Sequence, residues 1–111
     1  SNILIMGLTF KENCPDLRNT RVVDLVEGFK SLNCNVDVYD PWVEKAEANN
    51  FYNIKLIDKP VNGKYDAIVL AVAHDEFKEL SAKEIKVYGK CDHVLYDIKY
   101  LLKSSEVDGR L

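Results

Sequence analysis

A charged loop near the start of the chain contains the residue types that bind an anion. Residues 7–20, GLTFKENCPDLRNT, follow the apolar run 3–6. Lys11 offers a mobile positive charge, whereas Arg18 offers a planar fork of donors that matches phosphate oxygens. Asp16 is near enough in sequence to hold Arg18 in one orientation. The loop therefore predicts an anion site, although an exposed Asp16–Arg18 pair without a ligand fits the same residues.

The loop lacks the glycine-rich phosphate motifs. The dinucleotide pattern G-x-G-x-x-G needs three glycines, but this loop has only Gly7. Asp40 comes 33 residues after Gly7, whereas the acidic residue that binds a ribose comes about 20 residues after the motif. No G-K-[ST] sequence is present. We therefore expect side chains, together with the start of the following helix, to bind any anion here.

Strand-like and helix-like segments alternate along the chain. Short apolar runs predict strands at residues 3–8, 36–39, 54–57, 67–73 and 94–96. Helical spacing and capping patterns predict helices from Val22, over 43–49, after His74 and from Ser81. The alternation predicts an α/β fold, a three-layer Rossmann-like sandwich with a mainly parallel sheet of about five strands. Because the run 67–73 is apolar throughout, we place it in the middle of this sheet.

Ligands of such sheets bind beyond the carboxyl ends of the strands. Besides the first loop, that edge is expected to contain His74 and Asp97, which directly follow predicted strands. His74 either contacts a ligand or is a polar residue at a helix start. Asp97 either accepts a hydrogen bond from a ribose or bonds a nearby backbone amide. Trp42 is expected to pack against the sheet edge rather than to stack on a base.

Composition limits the possible partners. The 111 residues are 47% hydrophobic and 30% charged, with a net charge of −3, which predicts one soluble domain over residues 1–111. A negative chain is a poor binder of nucleic acid or anionic membranes, so we expect neither as a partner. No apolar run approaches the roughly 20 residues of a membrane span.

The cysteines indicate neither a disulfide framework nor a metal centre. Cys14, Cys34 and Cys91 are an odd number, and none of them forms a C-x-x-C pair. Reduced thiols are typical of cytoplasmic proteins, so a cytoplasmic location without a bound metal is expected.

The first loop and three later segments resemble a known family. GLTFKENCPDLRNT is similar to G-[LA]-x-[FY]-K-x-x-x-x-D-x-R-x-[ST], the motif that opens the C-terminal domain of the UDP-glucose/GDP-mannose dehydrogenases. VDVYDPWV, YDAIVLAVAHDEFKEL and VLYDIKYLL resemble later segments of that domain, in the same order. Within the family, AVAHDEF and YDIK are most similar to the branch that acts on UDP-N-acetylhexosamines.

The resemblance implies an activity that this chain supplies only in part. The family oxidises the C6 alcohol of a UDP-hexose or UDP-N-acetylhexosamine to the uronic acid in two hydride transfers to NAD, for polysaccharide biosynthesis. Its NAD domain and its central domain with the catalytic cysteine are separate from the C-terminal domain. The resemblance thus implies a fragment that has no catalytic residue, is inactive alone, and belongs to a homodimer or higher oligomer. The alternative is a stand-alone Rossmann-like regulatory or protein-interaction module.

The resemblance also implies roles for individual residues. Phe10 and Lys11 match the pair that meets the sugar nucleotide, and Lys99 matches a basic position that contacts the substrate. Arg18 matches the arginine that reaches the NAD pyrophosphate, and Asp16 would orient it. His74 and Asp97, which directly follow predicted strands, would support this site.

Overall fold

Four parallel strands form the sheet of this computed structural model, which describes residues 1–8, 22–52, 54–72, 74–80 and 82–97. The strands are β1 (Asn2–Met6), β2 (Asn35–Tyr39), β3 (Tyr65–Leu70) and β4 (Gly89–Asp97). Their order is β2-β1-β3-β4, and each neighbouring pair is parallel. The chain moves from β1 to one side and then returns to the other side with β3. The strand order therefore reverses between β1 and β3, where open α/β sheets form their binding crevice.

Helices cover both faces of the sheet. They are α1 (Val22–Ser31), α2 (Lys45–Tyr52), α3 (Asp75–Lys78) and α4 (Ala82–Lys86). Alternate residues of each strand point to opposite faces, so β1 contributes Ile3 and Ile5 to one core and Leu4 and Met6 to the other. The first core includes residues of α1 and α2, and the second includes residues of α3 and α4. The predicted three-layer Rossmann-like sandwich is confirmed.

Local sequence pattern predicts the inner strand, with shifted bounds. β3 starts two residues before the predicted run 67–73 and ends three residues before its end, and it lies between β1 and β4 as expected. Its last three residues, Ile68–Leu70, are buried, as expected for an inner strand. Val22 and Val26 lie one turn apart on the buried side of α1, as the helical spacing predicts.

Two predicted strands have different extents. Residues 54–57 make one isolated parallel bridge, Val38 to Leu56, in place of a full strand. Ile54 and Leu56 are nevertheless buried in the first core. The alternating pattern therefore reflects burial of these side chains and not strand pairing along the whole segment. The last strand begins at Gly89, five residues before the predicted start at Val94.

The early start of β4 comes from an irregularity in its pairing with β3. Gly89 lies opposite Tyr65, but Val94 lies opposite Ala67, so β4 contains extra residues at this point. The imidazole Nδ1 of His93 lies 2.6 Å from the carbonyl oxygen of Lys90, which closes a local turn inside the strand. A bulge of this kind disrupts the apolar alternation from which a strand is predicted.

None of the helices among the described residues combines the length and the apolar content needed to cross a bilayer.

Candidate functional site

The backbones of three strand ends meet at the carboxyl edge of the sheet, around Gly7. The Gly7 N–H donates to the Tyr39 carbonyl at 2.8 Å, and the Ala71 N–H donates to the Met6 carbonyl at 3.0 Å. Gly7 has a φ of +107°, and a β-carbon at this position would lie 2.6 Å from the Cβ of Val72. Only glycine satisfies both the backbone conformation and the close approach. This junction lies at the reversal point between β1 and β3.

One buried carboxylate connects the same three strand ends. Asp40 follows β2, and its side chain has no solvent exposure. Its Oδ2 accepts a hydrogen bond from the Leu8 N–H at 2.7 Å and lies 3.0 Å from His74 Nε2, while Oδ1 accepts from the Trp42 N–H at 2.8 Å. Leu8 follows β1 and His74 follows β3. Asp40 thus bonds groups at the ends of β1 and β3 and in the turn after its own strand.

These hydrogen bonds keep Asp40 ionised. Burial on its own raises the pKa of this carboxyl, because a charge is less stable away from water. The hydrogen bond from His74 and the backbone donors of Leu8 and Trp42 outweigh burial, and the pKa of Asp40 is lowered from its ordinary value. Because an ionised carboxylate only accepts hydrogen bonds, His74 Nε2 must be the donor in this pair.

Asp40 is expected to make stability depend on pH in acid. A carboxyl whose pKa is lower in the folded state stabilises the fold above its unfolded pKa of roughly 4, and this contribution disappears as pH falls through the folded value. Asp40→Asn should therefore destabilise by about 2 kcal/mol at pH 7, with a smaller difference from the wild type at pH 3. Urea denaturation between pH 3 and 7 measures this. Asp92→Asn, an exposed change, is the control, and a constant difference across the pH range would contradict the expectation.

Aromatic rings surround the imidazole of His74, which is fully buried. The ring centroids of Trp42 and Phe77 lie 5.9 and 5.5 Å from that of His74. The Trp42 indole N–H donates to Glu76 Oε1 at 2.9 Å, and 37% of Trp42 is exposed. Trp42 therefore packs over the strand ends, as expected from the sequence, and leaves one part of its ring accessible at the ligand edge.

A second buried carboxylate lies at the end of β4. Asp97 is fully buried and lies opposite Leu70, the last residue of β3. Asp40 and Asp97 therefore lie at the same edge of the sheet, beyond or at the ends of its two outer strands.

The structure places some of the predicted site residues. His74 and Asp97 lie at the carboxyl edge, as expected from their positions after strands. His74 is a polar residue at the start of α3, which is one of its two expected placements, and its side chain is buried and bonded to Asp40. It precedes α3 but its side chain makes no capping hydrogen bond. The remaining predicted site residues lie outside the described residues: Phe10, Lys11, Asp16, Arg18 and Lys99.

Sequence reasoning missed the role of Asp40. The sequence indicates that Asp40 ends a strand at the ligand edge and that it is too far from Gly7 to bind a ribose, but it does not indicate a bond to His74. The available signal was its position, since Asp40 and His74 both come directly after predicted strands whose carboxyl ends share one edge. What remained hidden was that both side chains point inward and meet.

Comparisons with known proteins agree with this fold. A family model described as the UDP binding domain of the UDP-glucose/GDP-mannose dehydrogenase family matches residues 4–104. The whole chain is 54% identical to a UDP-N-acetyl-D-glucosamine 6-dehydrogenase of Pseudomonas aeruginosa and 46% identical to one of Salmonella typhi. It covers 26% of each of these relatives, so the chain spans about a quarter of their length.

A solved structure has the same fold. The UDP-D-ManNAc dehydrogenase of Pyrococcus horikoshii superposes with a TM-score of 0.76 at 25% identity, over 99% of this chain and 25% of that one. The family model agrees with the family that the motif in residues 7–20 resembles, and so does the similarity of this whole chain to one part of the named dehydrogenases. This chain belongs to the UDP-glucose/GDP-mannose dehydrogenase family and matches the model of its UDP binding domain.

Proposed function

We propose that this chain is the UDP-sugar-binding, C-terminal domain of an NAD-dependent UDP-sugar 6-dehydrogenase. The parent enzyme would oxidise the C6 alcohol of the sugar to a carboxylate in two hydride-transfer steps. The observation that supports this most directly is the match of residues 4–104 to the family's UDP binding domain. The relatives are about four times as long as this chain, and the proposed activity of the parent enzyme follows from their names.

The proposed substrate is a UDP-N-acetylhexosamine. The relatives that are 54% and 46% identical are both named for UDP-N-acetyl-D-glucosamine. The UDP-glucose 6-dehydrogenases of Rickettsia conorii and Rickettsia bellii are 34% identical over 88 residues and 25% identical over 111 residues. The graded similarity favours the acetylated sugar. A cytoplasmic location and a homodimer or higher oligomer complete the proposal, in keeping with the cysteine usage and with the family.

The ends of two strands support a shared site for the proposed binding residues. Phe10 and Lys11 follow Leu8, which lies at the end of β1, and Lys99 follows Asp97, the last residue of β4. Both chain exits are at the carboxyl edge, on either side of β3. A UDP-sugar crossing this edge would lie over the strand order reversal, where such sheets bind ligands.

The described residues do not fit a bound dinucleotide. A dinucleotide site needs glycines that open the turn after the first strand to a pyrophosphate. Here the sequence 7–20 has a single glycine, Gly7, and the space beside its Cα is occupied by Val72, whose Cβ would lie 2.6 Å from an added β-carbon. NAD, the proposed hydride acceptor, would therefore be bound mainly by another domain, with Arg18 as the predicted contribution of this chain.

Turnover by the full-length protein tests the proposal. With UDP-N-acetylglucosamine and NAD, it should form two NADH for each sugar oxidised to the acid, and it should turn over UDP-glucose more slowly. The isolated 111-residue chain should show no turnover and weak or undetectable UDP binding, because other domains form most of the cleft. Absence of oxidation with every UDP-sugar tested would contradict the proposed function.

A further inference from the structure

We propose that Asp40 and His74 are positioning residues that orient the substrate-binding segment after β1. The inference rests on the proposed function, because it concerns binding of the same UDP-sugar. It goes further in assigning a role to a buried pair that need not touch the ligand. The proposal starts from the junction at which one carboxylate bonds groups at three strand ends.

Asp40 acts where the chain leaves β1. Its Oδ2 accepts from the Leu8 N–H at 2.7 Å, and Leu8 is the last described residue before Phe10 and Lys11 in the sequence. Consecutive Cα atoms are about 3.8 Å apart, so the direction in which the chain leaves Leu8 strongly affects where a side chain three residues later can reach. Asp40 holds this exit against its own strand, β2.

His74 connects the end of β3 to the same carboxylate. Its Nε2 lies 3.0 Å from the Oδ2 that also accepts from Leu8. His74 follows β3, so the pair spans the point where the strand order reverses. Both side chains are fully buried, which means that a shift of either strand end breaks a hydrogen bond that water cannot easily replace.

The aromatic rings around His74 restrict its side chain to the position at which it bonds Asp40. Trp42 and Phe77 lie within ring-contact distance of the imidazole, and no part of His74 reaches solvent. A side chain enclosed in this way acts through Asp40 rather than by swinging into the ligand cleft. Exchanging a buried polar pair for apolar packing changes net stability little, but its directional hydrogen bonds define one geometry. Loss of one partner should therefore affect binding geometry in addition to stability.

The experiment compares ligand binding among folded variants of the full-length protein. His74→Leu removes the donor to Asp40, whereas His74→Gln keeps one, because the glutamine amide nitrogen can take the place of Nε2. Asp40→Asn gives up at least one of its three acceptor contacts, since its amide nitrogen only donates. Tyr65→Phe is the matched control. It removes a buried hydroxyl that donates to Asp37 at 2.7 Å, at the start of β3 and so at the opposite edge of the sheet.

The readouts are the dissociation constant for UDP-N-acetylglucosamine, the split between KM and kcat, and the thermal midpoint. We expect His74→Leu and Asp40→Asn to bind UDP-N-acetylglucosamine about tenfold more weakly, which corresponds to about 1.4 kcal/mol of binding free energy. His74→Gln should stay within about threefold of the wild type. Tyr65→Phe should lower the thermal midpoint without changing affinity. Rescue by glutamine distinguishes positioning from a general loss of stability.

Three outcomes would overturn the inference. Wild-type affinity in folded His74→Leu and Asp40→Asn would show that the pair does not orient the site. An equal loss of affinity in Tyr65→Phe would show that stability alone controls binding. His74→Gln binding as weakly as His74→Leu would show that the hydrogen bond is irrelevant. If Asp40→Asn does not fold, the difference in affinity between His74→Leu and His74→Gln tests the inference. Failure of the wild type to bind any UDP-sugar would instead remove the proposed function itself.

Discussion

In the full-length protein, Lys11→Ala is expected to reduce kcat/KM for the UDP-sugar, and Arg18→Ala that for NAD, each by about 100-fold, as loss of a charge-assisted phosphate contact predicts. The sequence has no glycine-rich phosphate motif, so side chains must neutralise the diphosphate. Steady-state kinetics at saturating NAD measures the effect of Lys11→Ala on substrate binding. Varying NAD at saturating UDP-sugar measures that of Arg18→Ala, whose predicted partner is the cofactor pyrophosphate.

A charge-preserving variant, Arg18→Lys, tests whether charge alone explains the role predicted for Arg18. Arg18→Lys retains the charge but loses the planar fork, so it should recover only part of the lost activity. Lys59→Ala is the control for loss of a positive charge, because Lys59 is exposed in the loop after residues 54–57. Its activity should equal that of the wild type. Full activity in both Lys11→Ala and Arg18→Ala would show that neither side chain contributes to the site.

Gly7→Ala is expected to destabilise the chain by about 3 to 5 kcal/mol, the sum of backbone strain and overpacking. The new methyl group would meet the Cβ of Val72 at 2.6 Å and its backbone nitrogen at 2.8 Å. Neither atom belongs to the flexible end of a side chain, so relief requires the ends of β1 and β3 to separate. Chemical denaturation of the 111-residue chain measures the change in free energy of unfolding.

Two other glycines separate the causes of that loss. Gly63 has a φ of +67° but no atom within 4 Å of an added β-carbon, and Gly28 in α1 has an ordinary φ and open space. Gly63→Ala should therefore cost about 1 kcal/mol from strain alone, and Gly28→Ala should stabilise by roughly 0.5 to 1 kcal/mol. If Gly7→Ala costs no more than Gly63→Ala, the close contact with Val72 does not matter energetically.

The two sets of variants address different links between sequence and function. Lys11 and Arg18 are expected to affect chemistry with little effect on folding, since both belong to a highly charged stretch of the sequence. Gly7 should affect folding first, because its backbone is part of the junction between β1, β2 and β3. Asp40 and His74 lie between these extremes, since their hydrogen bonds join the same strand ends to the beginning of the binding segment.

Local pattern alone was enough to predict the α/β class, the central place of β3 and the edge at which a ligand should bind. Apolar alternation and helical spacing are encoded within windows of a few residues, so neighbours in the fold are not needed to recognise them. The motif in residues 7–20 was likewise contained in one stretch, and the family model confirms the family that it indicated. The parallel arrangement followed from alternation of the elements, because connections of this kind cross over in one hand.

Other features depended on contacts between residues far apart in the chain. Residues 54–57 have a strand-like pattern, but only Leu56 finds a partner on β2, so a ladder does not form. Gly7 is visible in the sequence, whereas its need for a hydrogen side chain comes from Val72, 65 residues later. Asp40 and His74 are 34 residues apart, and no local pattern reveals that their side chains meet away from water. Such pairings arise only when the packed sheet brings its strand ends together, because burial and hydrogen-bond geometry are properties of the assembled core.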